Sequence, residues 1–210
     1  MGITIHYSAR FGTRHSMKEF IEETTDIAKT LNWKYTVLED REFPDIPGPL
    51  EKDCDLFGLL LTPPECETLD LCFHGDRRLI NITCLQVIES SEWKKDPSWI
   101  YTASCKTQFG GPAIHKQVIL LLKYLNKKYF DEIEMNDETD YWNTGDEEKL
   151  NQLFGKMSRL INMLKDTLDD FPIKENEDVE DYFKRILGKS VEIRAIRIEP
   201  KQEEDQGNEN

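Results

Sequence analysis

The sequence predicts an α/β fold with α+β mixing: a mixed β-sheet built from two β-α-β-type units and covered by helices. A C-terminal helical segment and a disordered acidic tail are expected to follow. Three observations lead there. Short apolar runs alternate or stay continuous as in strands, and apolar residues recur at helical spacing between them. A strand–helix–strand frame also occurs twice, over residues 3–42 and 100–140. Each copy runs from a strand through a basic residue and a Phe-Gly step into a helix, then a strand and an acidic cluster. Without gaps, Phe11 aligns with Phe109, Gly12 with Gly110, Lys18 with Lys116, Ile21 with Ile119 and Lys29 with Lys127. The side chains that would carry chemistry do not repeat, since Arg14 aligns with Pro112 and His15 with Ala113.

The first helix is expected over 14–33. Ser16 and Glu19 have capping-box spacing, and Met17, Phe20, Ile21, Thr24, Ile27, Ala28 and Leu31 share one face. Pro44, Pro47, Gly48 and Pro49 make 43–55 a loop. Residues 57–62 read as a central strand, and 69–74 as one arm of a hairpin turning at Gly75-Asp76 into 77–80. Residues 84–88 are expected as a further strand, and 90–98 as a polar loop holding Trp93. The second helix starts at Gly111-Pro112, where proline suits the first helical position. A third, long helix is expected to open with a capping box at Thr144–Glu147 and carry Leu150, Leu153, Phe154, Met157, Leu160, Ile161, Leu164 and Leu168 on one face. A shorter helix bears Tyr182 and Phe183 and closes at Gly188, residues 191–198 are extended, and 200–210 are too polar to pack. This gives one globular domain over 1–199, with a helical segment at 144–188.

A chain of 210 residues can bury a full core. The longest apolar runs, 56–61 and 118–122, are far short of the roughly 20 residues that span a bilayer, so no membrane association is expected. The N-terminus enters a strand pattern with no basic stretch and apolar core before it, which predicts no secretory leader. Cys54, Cys66, Cys72, Cys84 and Cys105 are odd in number and form no C-x-x-C pair, as expected of free thiols in the cytoplasm. The net charge is -14. Residues 131–181 hold 17 acidic and 5 basic side chains. Such a surface repels a phosphate backbone, which excludes nucleic acid as the main partner and suits a basic protein.

Four constellations can carry chemistry. Arg10, Arg14 and His15 in the first unit, with Lys106, Gln108 and His115 in the second, lie where strands turn into helices. Small anionic ligands are often held at such turns. Gly12, Gly110 and Gly111 would let a ligand approach the backbone there. Glu39, Asp40 and Glu42, with Asp137, Glu138 and Asp140, form two acidic clusters. If they face each other they can hold a divalent cation or divide acid and base roles. Tyr141 and Trp142 can anchor a partner or wall a ligand. Cys72 and His74 share a strand face, too few ligands for zinc without help from Cys66, Cys84 or His6. No G-x-S-x-G elbow, G-x-G-x-x-G loop or Walker sequence is present, and no cofactor is implied. The expectation is a binding or interaction protein with an acidic, partner-facing surface rather than an enzyme. The alternative is a small-molecule site, or an enzyme, at the strand-to-helix turns.

Overall fold

The computed structural model describes residues 2–87 and 97–185. Within the expected 1–199 span the chain forms two compact units, Met1–Met157 and Ser158–Asn210. The expectations for residues 88, 90–96, 186–188, 191–198 and 200–210 lie outside the described residues.

In the first unit, β1 (Thr4–Phe11) is the organising strand. Its odd residues Ile5, Tyr7, Ala9 and Phe11 are buried, while Thr4, His6, Ser8 and Arg10 face the other way. β5 (Ala103–Lys106) and β6 (Phe130–Asp137) pair antiparallel on either side of it, in the order β5-β1-β6. β5 and β6 are therefore parallel to each other, joined by α3 (Gly111–Tyr129), and β1 lies between them. β2 (Lys34–Val37), β3 (Leu56–Thr62) and β4 (Leu69–His74) form a second antiparallel sheet with β3 in the centre.

The mixed helix-and-strand class stands, but the ladders are two three-stranded antiparallel sheets rather than the one mixed sheet expected. The doubled frame also folds in two ways. β5-α3-β6 returns to its own sheet, whereas β1-α1-β2 crosses into the other. The hairpin arm 77–80 links the sheets. Phe11 N donates to Arg77 O at 2.8 Å and Leu79 N to Ala9 O at 2.9 Å, while His74 N donates to Arg78 O at 3.0 Å. Tyr7 adds a side-chain tie, its fully buried hydroxyl donating to Asp70 O at 2.9 Å.

α1 (Met17–Thr30) and α3 press Phe20, Ile21, Val118 and Leu122 into one core with both sheets. Phe11 is its aromatic centre: rings of Phe20, Phe43 and Phe73 lie within 5.4 Å, and Tyr129 and Phe130 are at 6.1 and 6.4 Å. Ser16 caps α1 by accepting from Glu19 N at 3.3 Å. Glu19 does not complete the box. Glu42, arriving from the loop after β2, accepts from Ser16 Oγ at 2.5 Å and from Met17 N at 3.0 Å. Burial opposes charge on Glu42, yet these bonds and one from Lys18 N hold its carboxyl below the ordinary range.

The strand expected at 84–88 is instead a short helix, α2 (Ile82–Leu85). Asn81 caps Cys84 N and Asp70 accepts from Ile82 N, so side chains meet the amides that a ladder would have used. The strand expected from residue 100 begins at Ala103, because Pro97–Tyr101 form a 3-10 turn. α4 (Tyr141–Thr144) precedes α5 (Glu147–Asp170). The cap of α5 is Asp146, accepting from Lys149 N at 2.9 Å, two residues later than the box read at Thr144. Leu150 and Phe154 of α5 are in the core of the first unit. In the second unit Leu160 and Leu164 are exposed, residues 179–185 are helical, and Arg185 pairs with Glu177 at 2.6 Å.

Phe11→Ala is expected to cost about 3–5 kcal/mol in urea unfolding, because five rings lose a partner at a site that cannot collapse. Glu42→Ala is expected to cost about 1 kcal/mol, the worth of a helix cap.

Candidate functional site

One buried polar cluster joins several of the residues singled out in the sequence. α3 carries His115 inward to full burial. Its Nδ1 lies 2.7 Å from Thr107 Oγ1, just past β5. Its Nε2 lies 3.1 Å from Thr139 Oγ1 and 3.3 Å from Asp137 Oδ1, at the end of β6. Asp137 also accepts from Thr139 N and Trp142 N, both at 2.9 Å, and from Thr139 Oγ1. The Thr139 hydroxyl is thus spent on Asp137, and both neighbours of Nε2 accept, which assigns the ring hydrogen to Nε2. Burial pushes the Asp137 carboxyl up, but donation by His115, Thr139 N and Trp142 N outweighs it and holds the group at about 2.

A hydroxyl, an imidazole and a carboxylate in line have the outline of a nucleophile–base–orienter set. Here Thr107, His115 and the Asp137 side chain are sealed from solvent, so no substrate atom reaches the hydroxyl. The cluster instead ties the end of β5, the start of α3, the end of β6 and α4 together.

The strand-to-helix turns do not share a site. Lys106 pairs with Thr4 and Arg10 lies six residues further along β1, so they stand about 20 Å apart at 3.3 Å per residue. Arg14 and His15 are exposed near Arg10's end, with the His15 ring against Tyr129. Gln108 is half-buried near Lys106, and its Oε1 is shielded without a hydrogen-bond partner among the described residues. The space over Gly12 and Gly110 holds protein, while that over Gly111 is open. A Cβ on Gly110 would meet Cys66 Sγ at 2.6 Å and Pro64 O at 2.9 Å, and one on Gly12 would meet the His15 ring at 2.8 Å.

The acidic clusters do not meet either. Glu42 caps α1, Glu39 pairs with Arg41 at 3.0 Å, Arg41 also binds Asp55, and Asp40 is exposed. At the other end of β1, Glu138 accepts from Thr4 N at 2.8 Å. Asp140 pairs with Lys149 and Asn143, which hold its carboxyl below the ordinary range. Tyr141 is core rather than a surface anchor, at 6% exposure, while Trp142 is half-buried with Lys123 over its ring. Cys72 donates to Ile80 O and His74 faces Asp76, and among the described residues no three of His, Cys, Asp and Glu group as metal ligands. All five cysteines are free thiols, and burial pushes the Cys66 thiol up to about 11 and Cys72 and Cys105 well up.

Among the open concavities elsewhere, two are lined by acidic and basic side chains together. A groove of about 880 Å³ runs between α1 and α3, walled by Glu19, Glu22, Glu23 and Asp26 and floored in part by Ile27, Leu31 and Tyr124. Lys128, Tyr124 and Tyr129 all donate to Glu23 and hold its carboxyl at about 2, so this acid is fixed in place. The second concavity, about 620 Å³, opens on the polar face of β1 over Ser8 and Arg10, with Arg78, Tyr101, Glu132 and Glu134 around it. Sequence reading passed over Thr107 and Thr139, the acidic stripe of α1, and Arg78 with Tyr101. The stripe was visible in the 19-22-23-26 spacing; the others depend on strand register.

No protein family model, curated protein or solved structure matches this chain. What the structure defines is an α/β protein, and among its described residues no helix is long and apolar enough to cross a membrane.

Two buried carboxylates set opposite pH dependences. Asp137 is depressed, so its stabilisation is present above about pH 4 and is lost as pH falls through about 2. Asp70, raised by burial to about 6 against one bond from Ile82 N, costs the fold nothing below about pH 4 and destabilises it increasingly as pH rises from there through about 6. Thermal melts across pH are expected to show Asp137→Asn costing about 2 kcal/mol near neutrality, the gap narrowing in acid. Asp70→Asn is expected to stabilise by about 2–3 kcal/mol above pH 7 and to match the parent below about pH 4.

Proposed function

We propose that this chain is a non-catalytic binding protein whose α1–α3 groove receives a basic segment of a protein partner. The observation that carries the reading is the composition of that groove: four carboxylates on one side of α1 above a partly apolar floor. Glu22 and Asp26 are exposed, and Tyr124 is 40% exposed. Such a surface matches an amphipathic helix with Lys or Arg on one face and aliphatic residues on the other. The acidic net charge speeds the encounter with a basic partner, and the apolar floor supplies contact that a charged surface alone lacks. A sealed His115 cluster fits the same reading, since it serves rigidity rather than turnover.

The probe is a labelled amphipathic basic peptide of about 15 residues, followed by fluorescence anisotropy. Glu22→Gln with Asp26→Asn is expected to weaken binding about tenfold or more, and raising salt from about 50 to about 300 mM to weaken it further. Neutralising Glu175 and Glu180 in the second unit removes the same charge and is expected to change little. Equal losses from both pairs would mean that net charge alone attracts the peptide, and the groove reading would fall.

A further inference from the structure

The second concavity has a feature that the acidic groove does not share. Arg10 and Arg78 are antiparallel bridge partners, so their side chains leave the backbone side by side on one face. Like charges placed directly opposite destabilise a strand pair unless something lies between them. Arg78 is provided for: its Nε donates to Asp76 Oδ2 at 2.7 Å, and its guanidinium stacks 3.7 Å from the Tyr101 ring centre. Arg10 is held more loosely: among the described residues it pairs with Glu132 at 3.8 Å and donates one long bond of 3.4 Å to Asp76 O.

The rest of the cleft has the opposite charge. Register places Glu132 opposite Arg10 and Glu134 opposite Ser8, so carboxylates and guanidinium emerge on the same face of neighbouring strands. The volume of about 620 Å³ falls within the range of small-ligand sites.

We infer that this cleft binds a small phosphomonoester carrying an ammonium group, the phosphate between Arg10 and Arg78 and the ammonium against Glu132 and Glu134. Two planar guanidiniums match a dianionic phosphate, Arg10 with paired N–H donors and Arg78 with the N–H groups not spent on Asp76. Tyr101 holds Arg78 in its stacked position, and Ser8 adds a hydroxyl beside the anion. A simple anion would meet the repulsion of the facing carboxylates, and a simple cation that of the arginines. A ligand with both charges meets neither.

Isothermal titration with phosphoethanolamine tests this, with ethyl phosphate as the probe that lacks the ammonium. Saturable binding of phosphoethanolamine is expected, at least about tenfold tighter than that of ethyl phosphate. Arg10→Gln is expected to weaken both ligands. Glu134→Gln is expected to weaken phosphoethanolamine while leaving or improving ethyl phosphate, a reversal that general loss of fold cannot produce. Arg14→Gln, exposed in the turn before α1, serves as a control and is expected to leave both ligands unchanged. Absence of saturable binding up to about 10 mM phosphoethanolamine would overturn the inference, because a site that weak holds little of any cellular metabolite. Equal losses in Arg10→Gln and Arg14→Gln would overturn it too.

Discussion

The constraint on which the larger unit depends is the two-faced character of β1. Every second residue of this strand enters the core, and those between them form the polar face of its sheet. β5, β6 and the hairpin arm 77–80 each take their register from β1 through backbone bonds. A slip of one residue would turn Ile5, Tyr7 and Phe11 outward and bring His6, Ser8 and Arg10 into the core. Phe11 stands where this matters most, since five rings pack around it and its own amide bonds the arm that links the sheets. The core and the cleft are thus two sides of one strand.

The buried His115 cluster closes the other end of that unit. The crossover helix α3 joins two strands split by β1 and packs on them through apolar side chains. Thr107, His115, Asp137 and Thr139 add directional bonds among the three elements that must meet. Low dielectric strengthens each such bond and makes any unsatisfied member costly, so the cluster acts as a fixed joint. Asp70 is the contrasting case, a carboxylate equally buried but with a single described donor. The two groups show that burial alone does not set a carboxyl's behaviour; the number of donors aimed at it does.

The open surfaces divide by charge. α1 turns a row of acids toward α3, with Glu23 clamped by Lys128 and two tyrosines, while the polar face of β1 sets two arginines against two glutamates. A peptide-sized acidic groove and a smaller cleft of mixed charge suit different ligands, and the elements that bear them are both held by the one core.

Helix placement, the central position of β3, the hairpin at Gly75-Asp76 and the mixed class were legible along the chain, because each is written in local periodicity, caps and turns. Ser16 announced the start of α1, and Pro112 that of α3. What local pattern could not show was pairing. Glu42 looked like part of an acidic site and is a helix cap supplied from 26 residues away. Tyr141 looked like a surface anchor and is core. Residues 84–88 looked like a strand, but Asn81 and Asp70 offer the amides of α2 better partners. Arg10 was legible as a candidate, yet its neighbour Arg78 was not, since only the antiparallel bridge brings residues 10 and 78 together. The sequence by itself determined the long helices, most of the strands and how much charge they carry. The tertiary structure decided which strands pair, which carboxylates are spent on caps and buried bonds, and which charges remain at the surface, because hydrogen bonds and burial act between residues distant along the chain.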